Sequence, residues 1–314
     1  MFQGYTLWLH SLYETQWVLI MSIGIGVILG LASAFIWATT SLAVKAQAEE
    51  IHPTSFNAFR MAVATVFTFA LLPFFVEWQT FAQISPNAVI VLSISSIIGI
   101  ATGDVLYFWS MTKIGAARAL PISGIYPLFT WAIAVPLLGE PVTANALLGT
   151  GLVLLGVYLL APNSVASAPA DMRTERLGML AAFVAAALWA IATTLLKVGI
   201  QESLGVLVVN AIRLPVAAVA TACVAHAQVG RKAWRGYNRR TFPRLIALAL
   251  YSTGIGMIVW TLTVEYAGAA RAALLNTAAP LIGVPLSVLA LKEHVTPKMV
   301  TGTLLIVFGV WLIL

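Results

Sequence analysis

"GAARAL" runs from Gly115 to Leu120, and "GAARAA" runs from Gly268 to Ala273. Each sets one arginine among small apolar residues, about half a chain apart. The same offset, with one residue of slippage, brings Trp37 onto Trp189, Lys45 onto Lys197, Asn57 onto Asn210 and Arg60 onto Arg213. It also pairs Arg118 with Arg271, Pro127 with Pro280, Glu140 with Glu293, Gly149 with Gly302 and Gly156 with Gly309. A register that persists so far is an internal duplication.

Composition decides what is duplicated. Of 314 residues, 61% are hydrophobic and only 9% charged, against about 25% charged in soluble domains. "VLIMSIGIGVILGLASAFIWATT", Val18 to Thr40, carries no charge, and a helix needs roughly 20 apolar residues to cross a bilayer. Barrel strands alternate polar and apolar residues; these runs are apolar on every side. The expectation is an all-α membrane protein. Apolar runs between Pro, Gly and charged punctuation place ten spans near 18–43, 54–76, 87–110, 119–138, 143–161, 177–197, 203–225, 245–264, 272–291 and 297–314. An aromatic N-terminal segment (1–17) precedes a first repeat (18–161), and a Pro-containing linker (162–176) leads to a second (177–314). Five spans per copy is an odd number, so the second copy enters the membrane from the opposite face. Inverted repeats of that kind typify secondary transporters, whose site lies near the midplane where the repeats meet.

The net charge of +6 does not indicate nucleic acid, because Lys and Arg in a membrane protein ordinarily orient it. The single Cys223 allows no internal disulfide, and His10, His52, His226 and His294 have no ligand spacing. Neither a metal site nor a cofactor is expected. No Walker motif is present, so nothing supports ATP drive within this chain. The first lysine or arginine is Lys45, which argues against a cleavable signal peptide.

"FIWATTSLAVK" with "NAFR", followed by "IGAARALPISGIYPLFTWAIAVPLLGEPVTANALLGTGLVLLGVYLL", resembles the EamA-type repeat of the drug/metabolite transporter superfamily. "ALWAIATTLLK" with "NAIR", and then "AGAARAALLNTAAPLIGVPLSVLALKEHVTPKMVTGTLLIVFGVWLIL", resembles a second copy. The likeness covers nearly everything from about residue 24 onward. It implies a carrier but not a cargo, since the superfamily moves amino acids, sugars, nucleotide derivatives and drugs. The copies differ: Lys292-Glu293 stands where the first has Gly139-Glu140, and Thr277-Ala278-Ala279 faces Gly124-Ile125-Tyr126.

Ionisable groups inside spans are costly and tend to face a cavity or a partner. Of the 11 acidic residues, only Asp104 falls inside a hydrophobic run, and Met257 is its counterpart. Asp104 is either a proton-coupling and substrate-binding group or a helix-end and ion-pair residue. Asn57 and Arg60, like Asn210 and Arg213, share a helix face by their three-residue spacing. The arginines either fork onto a carboxylate or phosphate or snorkel and cap neighbouring carbonyls. Trp37 and Trp189 recur mid-span, where they line a cavity or pack. Tyr107, Trp109, Tyr126, Tyr251 and Trp260 offer a stacking surface, and Asn276 completes the candidate set. Glu140 and Glu293 read as turn residues. Repeat-equivalent Pro127 and Pro280, with Pro121, Pro136 and Pro285, are expected to kink the fourth and ninth spans.

The leading expectation is a secondary transporter for a small metabolite or drug, using alternating access, with proton-coupled export as one form. A lipid flippase of the same superfamily is the near alternative. An intramembrane enzyme would need a converged nucleophile and base, and a channel would show rings of charge or exposed carbonyls. The expected partners are the bilayer and a small molecule, for a monomer or homodimer in a bacterial cytoplasmic membrane.

Lysines and arginines outside the spans fall on the side of the loops after spans 1, 3, 5, 7 and 9, with the exceptions of Lys197 and Arg271. The cluster from Arg231 to Arg244 dominates that bias. By the positive-inside rule both termini lie outside the cytoplasm. A C-terminal alkaline phosphatase fusion should be active and a C-terminal green fluorescent fusion dark. A bright fluorescent fusion with an inactive phosphatase fusion would reverse the topology.

Overall fold

A computed structural model of the protein describes residues 24–40, 51–114, 119, 122–160, 172–200, 204–277 and 297–313. The described residues contain helices and no strands. In chain order the helices are α1 (Gly24–Thr40), α2 (Pro53–Phe75), α3 (Pro86–Ile114), α4 (Tyr126–Leu138) and α5 (Ala144–Leu160). The second half gives α6 (Met172–Ile200), α7 (Val206–Val229), α8 (Phe242–Ala267), α9 (Ala269–Thr277) and α10 (Pro297–Ile313). Helices α2, α3, α6, α7 and α8 are each long and apolar enough to cross a membrane. The protein is an all-α, multi-pass membrane protein.

Local sequence sets the ends. Pro53 and Pro86 open α2 and α3, where a missing N–H costs nothing, and Ser85 caps α3 by accepting from the Ala88 amide at 3.0 Å. Gly139 closes α4 with φ at +65°. Several boundaries differ from the sequence reading. Helix α6 begins at Met172, so the linker's last residues, Met172 to Arg176, are helical. Helix α3 runs on to Ile114 rather than 110. The fourth span is interrupted: a turn at Gly124 and Ile125 precedes α4, and Pro127 sits in its first turn rather than kinking its interior. Pro136 lies inside this helix, as the sequence reading has it, and further interior prolines occur at Pro73 and Pro215. The N-terminal segment 1–17, Lys45, Arg118, Pro121, Pro280, Pro285, Lys292 and Glu293 lie outside the described residues, as does most of the ninth span.

The surface is as apolar as the interior. Ile28 is 70% exposed and Leu304 63%, as suits a lipid-facing shell. Between the helices lie small residues and hydroxyls. Gly99 backs onto Ala192, Gly178 onto Ile114 and Gly199 onto Leu92, fixing α3 against α6. Ser95 Oγ donates to the Ala192 carbonyl at 2.7 Å and Ser110 Oγ to the Gly178 carbonyl at 2.8 Å. Lipid supplies no hydrophobic drive between helices, so close backbone approach and such bonds hold them together.

The two halves meet reciprocally. On α5 and α10, Gly156 approaches the Gly302 carbonyl while Gly309 approaches the Gly149 carbonyl. These are repeat-equivalent positions exchanged. The repeated motif has its own role in the contact. Gly268 ends α8 with φ at +84°, and the amides of Ala269 and Ala270 donate to the Glu140 carboxylate at 2.6 and 3.1 Å. Glu140 thus caps α9 across the halves, where the helix dipole favours a negative charge. A Cβ at residue 268 would stand 2.8 Å from Glu140 Oε1, so a larger residue would push the capping carboxylate aside as well as strain φ.

A Cβ at Gly156 would lie 2.6 Å from the Gly302 carbonyl oxygen, whereas one at Gly151 on the same helix meets nothing within 4 Å. Gly156→Ala should therefore cost about 1–3 kcal/mol through overpacking and lower the unfolding temperature in detergent. Gly151→Ala should leave it unchanged or slightly raised. Equal behaviour of the two variants would refute the α5–α10 contact.

Candidate functional site

Helix α3 changes its winding at Ile97–Gly103, where it becomes a π-helix. It resumes α-geometry at Asp104, whose amide bonds back to the Gly99 carbonyl. Helix α8 does the same at the repeat-equivalent Leu250–Ile255. A π-turn adds a residue to the winding and recurs at functional sites. Here it turns Asp104 inward.

Asp104 is 7% exposed. Trp189 Nε1 on α6 donates to its Oδ1 at 2.9 Å, and Asn57 Nδ2 on α2 donates to Oδ2 at a long 3.4 Å. Arg60 Nη2 donates to Asn57 Oδ1 at 2.7 Å, so the amide bridges guanidinium and carboxylate. The Arg60 guanidinium also lies 5.6 Å from the centroid of the Phe56 ring. The tryptophan indole rests against Gly103, where a Cβ would come within 2.9 Å of Cδ1. Tyr107 packs on Trp189 at 5.1 Å between centroids, and Tyr126 meets it edge-on at 6.0 Å. Tyr126 is tied to the second half because its hydroxyl donates to the Ala273 carbonyl at 2.7 Å. One turn on, Asn276 Oδ1 accepts from Ser33 Oγ at 3.3 Å.

Asp104 and Arg60 open onto a cavity of about 10 Å³, shared with Trp37, Thr40 and Met61 from the first half. Ser252, Thr253, Gly256 and Met257 of α8 form its other wall. That space is no more than one water needs. The second half repeats the scaffold without the acid. Asn210 Nδ2 donates to the Met257 carbonyl at 3.3 Å, and Asn210 Oδ1 accepts from Thr261 Oγ1 at 3.0 Å.

Among the sequence candidates, Trp37, Arg60 and Asp104 line the cavity, Asn57 and Trp189 hold Asp104, and Tyr107 and Tyr126 pack on Trp189. Asn210 joins these through Met257, Arg213 sits one turn from Asn210 and is buried at 4% exposure, and Asn276 sits behind Tyr126. Trp260 stands elsewhere, packed on the core of Leu196, Val208 and Val264. Tyr251 pairs its hydroxyl with Thr39 Oγ1 at 2.8 Å, joining α8 to α1. Sequence reasoning missed Thr40, Met61, Ser252, Thr253, Gly256 and Met257. The hydroxyls and glycines of "YSTGIGM", aligned on "IGIATGD", were the available signal.

Fold and site together define a polytopic helical membrane protein with a charged cluster buried where its two halves meet. The model of the EamA-like transporter family matches residues 24–161 and 176–314, and the chain belongs to that family. An "Uncharacterized transporter" of Archaeoglobus fulgidus is 23% identical over 288 residues, which is 92% of this chain and 97% of that protein. A solved crystal structure superposes with a TM-score of 0.76 at 18% identity, covering 91% of this chain and 95% of its own. That likeness is one of fold.

Hydrogen bonds to a buried charged group are worth about 1.5–3 kcal/mol. Trp189→Phe should destabilise the protein by that order while Asp104 keeps its carboxylate. In an Asp104→Ala background the same change should cost less by about 1 kcal/mol or more, read as a double-mutant cycle of thermal unfolding. Strict additivity would mean that the indole only packs.

Proposed function

We propose that this protein is a secondary transporter that moves a small metabolite or drug by alternating access, with Asp104 coupling the movement to protons. The carrying observation is the one carboxylate buried among the described residues, on the wall of a cavity bounded by both halves. The reading takes the ten helices as spans of two inverted five-helix repeats in a bacterial cytoplasmic membrane. The exchanged Gly156–Gly302 and Gly309–Gly149 contacts support it, as do π-turns at equivalent places in α3 and α8.

Two near-equivalent halves can trade roles, and the rocking of one repeat against the other exposes a central site to each side in turn. The cavity is too small for a metabolite, so in this reading the halves must part to admit one. Asp104 is held by donors from α2 and α6, and motion between those helices changes its surroundings. A carboxylate whose partners separate on one side of the cycle can take up a proton there and release it on the other.

Asp104→Asn keeps the shape and removes the titrating group. In proteoliposomes, with a substrate identified by comparing metabolites of cells with and without the protein, the variant should lose uphill transport driven by a pH gradient. Downhill exchange should remain within a few-fold of the parent. Uphill transport by the Asn variant with the parent's pH dependence would end the coupling proposal.

A further inference from the structure

Arg60 and Arg213 hold the same place in the two repeats, but their surroundings differ in charge. Arg60 reaches Asp104 through Asn57. On α7 the corresponding amide is engaged differently, because Asn210 takes Thr261 on its oxygen and gives its N–H to the Met257 carbonyl. Met257 stands where the acid would be. Arg213 is 4% exposed, and its Nε and Nη1 have no hydrogen-bond partner among the described residues. Its neighbour Leu214 packs with Met61, Ile100 and Met257, an apolar cluster that supplies no counter-charge.

A guanidinium does not shed its proton in a protein, and a buried charge without a partner is strongly unfavourable. Arg60, Asp104 and Arg213 together leave one surplus positive charge at the meeting of the halves. We propose that Arg213 is the anion-binding residue of the central site and that the substrate carries a carboxylate. An anion at Arg60 would face the Asp104 carboxylate, whereas Arg213 has no such rival. Met257 connects the two, since it lines the cavity and accepts from the asparagine one turn before Arg213. The inference deepens the transporter reading and rests on it only for the word substrate; the binding stands without it.

The test uses the full-length protein in nanodiscs, thermal unfolding as the readout, and short monocarboxylates beside their neutral amides at constant chloride. At least one carboxylate should raise the unfolding temperature saturably by several degrees, and its amide should not. Arg213→Met should raise the unfolding temperature of the unliganded protein, because an unpaired buried charge is gone, and should abolish the response to carboxylate. Arg213→Lys should retain a weakened response. Arg60→Met, which strands Asp104, should lower the unliganded value. The proposal fails if no carboxylate shifts the parent, if Arg213→Met still responds, or if Arg213→Met destabilises as much as Arg60→Met. Carboxylate binding without flux in proteoliposomes would overturn the transporter reading and leave the anion site standing.

Discussion

Everything in this molecule follows from packing helices where lipid offers no hydrophobic reward for burying one helix on another. Contact must come from closeness and from hydrogen bonds. The sequence therefore sets glycine, alanine, serine and threonine among the aliphatics at its helix interfaces and leaves further bulky aliphatics facing outward. Gly99, Gly178 and Gly199 let α3 lie against α6, and that closeness carries Trp189 to Asp104. The carboxylate is positioned by the same small residues that hold the fold together.

Against that background the buried charges stand out as the one departure from economy. A chain that avoids ionisable residues in its spans nonetheless puts two arginines and an aspartate at its centre. Duplication explains why the arginines recur; it does not explain why the acid occurs once. The two halves share a scaffold of Asn-x-x-Arg and a π-turn, then diverge at residues 104 and 257. The architecture is shared between the halves, and the chemistry at their meeting is not.

Much of this is legible in the order of the amino acids. Duplication can be read from paired landmarks, because equivalent residues recur in sequence whatever the helix boundaries. Membrane character is legible because a polar backbone in lipid leaves helices as the way to assemble runs apolar on every side. The cluster of Asp104, Asn57 and Arg60 is partly legible from spacing within α2. Geometry across the chain is not. Hydropathy does not register a π-turn, since inserting one residue leaves composition unchanged. Nor does it place the break before Pro127, because "ISGIYP" is apolar enough to pass for span. Glu140 reads as a turn residue because its partners, the amides of Ala269 and Ala270, are backbone groups from the other repeat.

The π-turn in α3 imposes a counting rule on the sequence. An α-helix advances about 100° per residue, so the extra residue wound into Ile97–Gly103 sets the compass bearing of everything after it. Were the stretch to rewind as uniform α-helix with all its residues kept, Asp104 would swing by about 100° away from Trp189 and Asn57, although every side chain of the cluster was still encoded. The winding here is part of the chemistry.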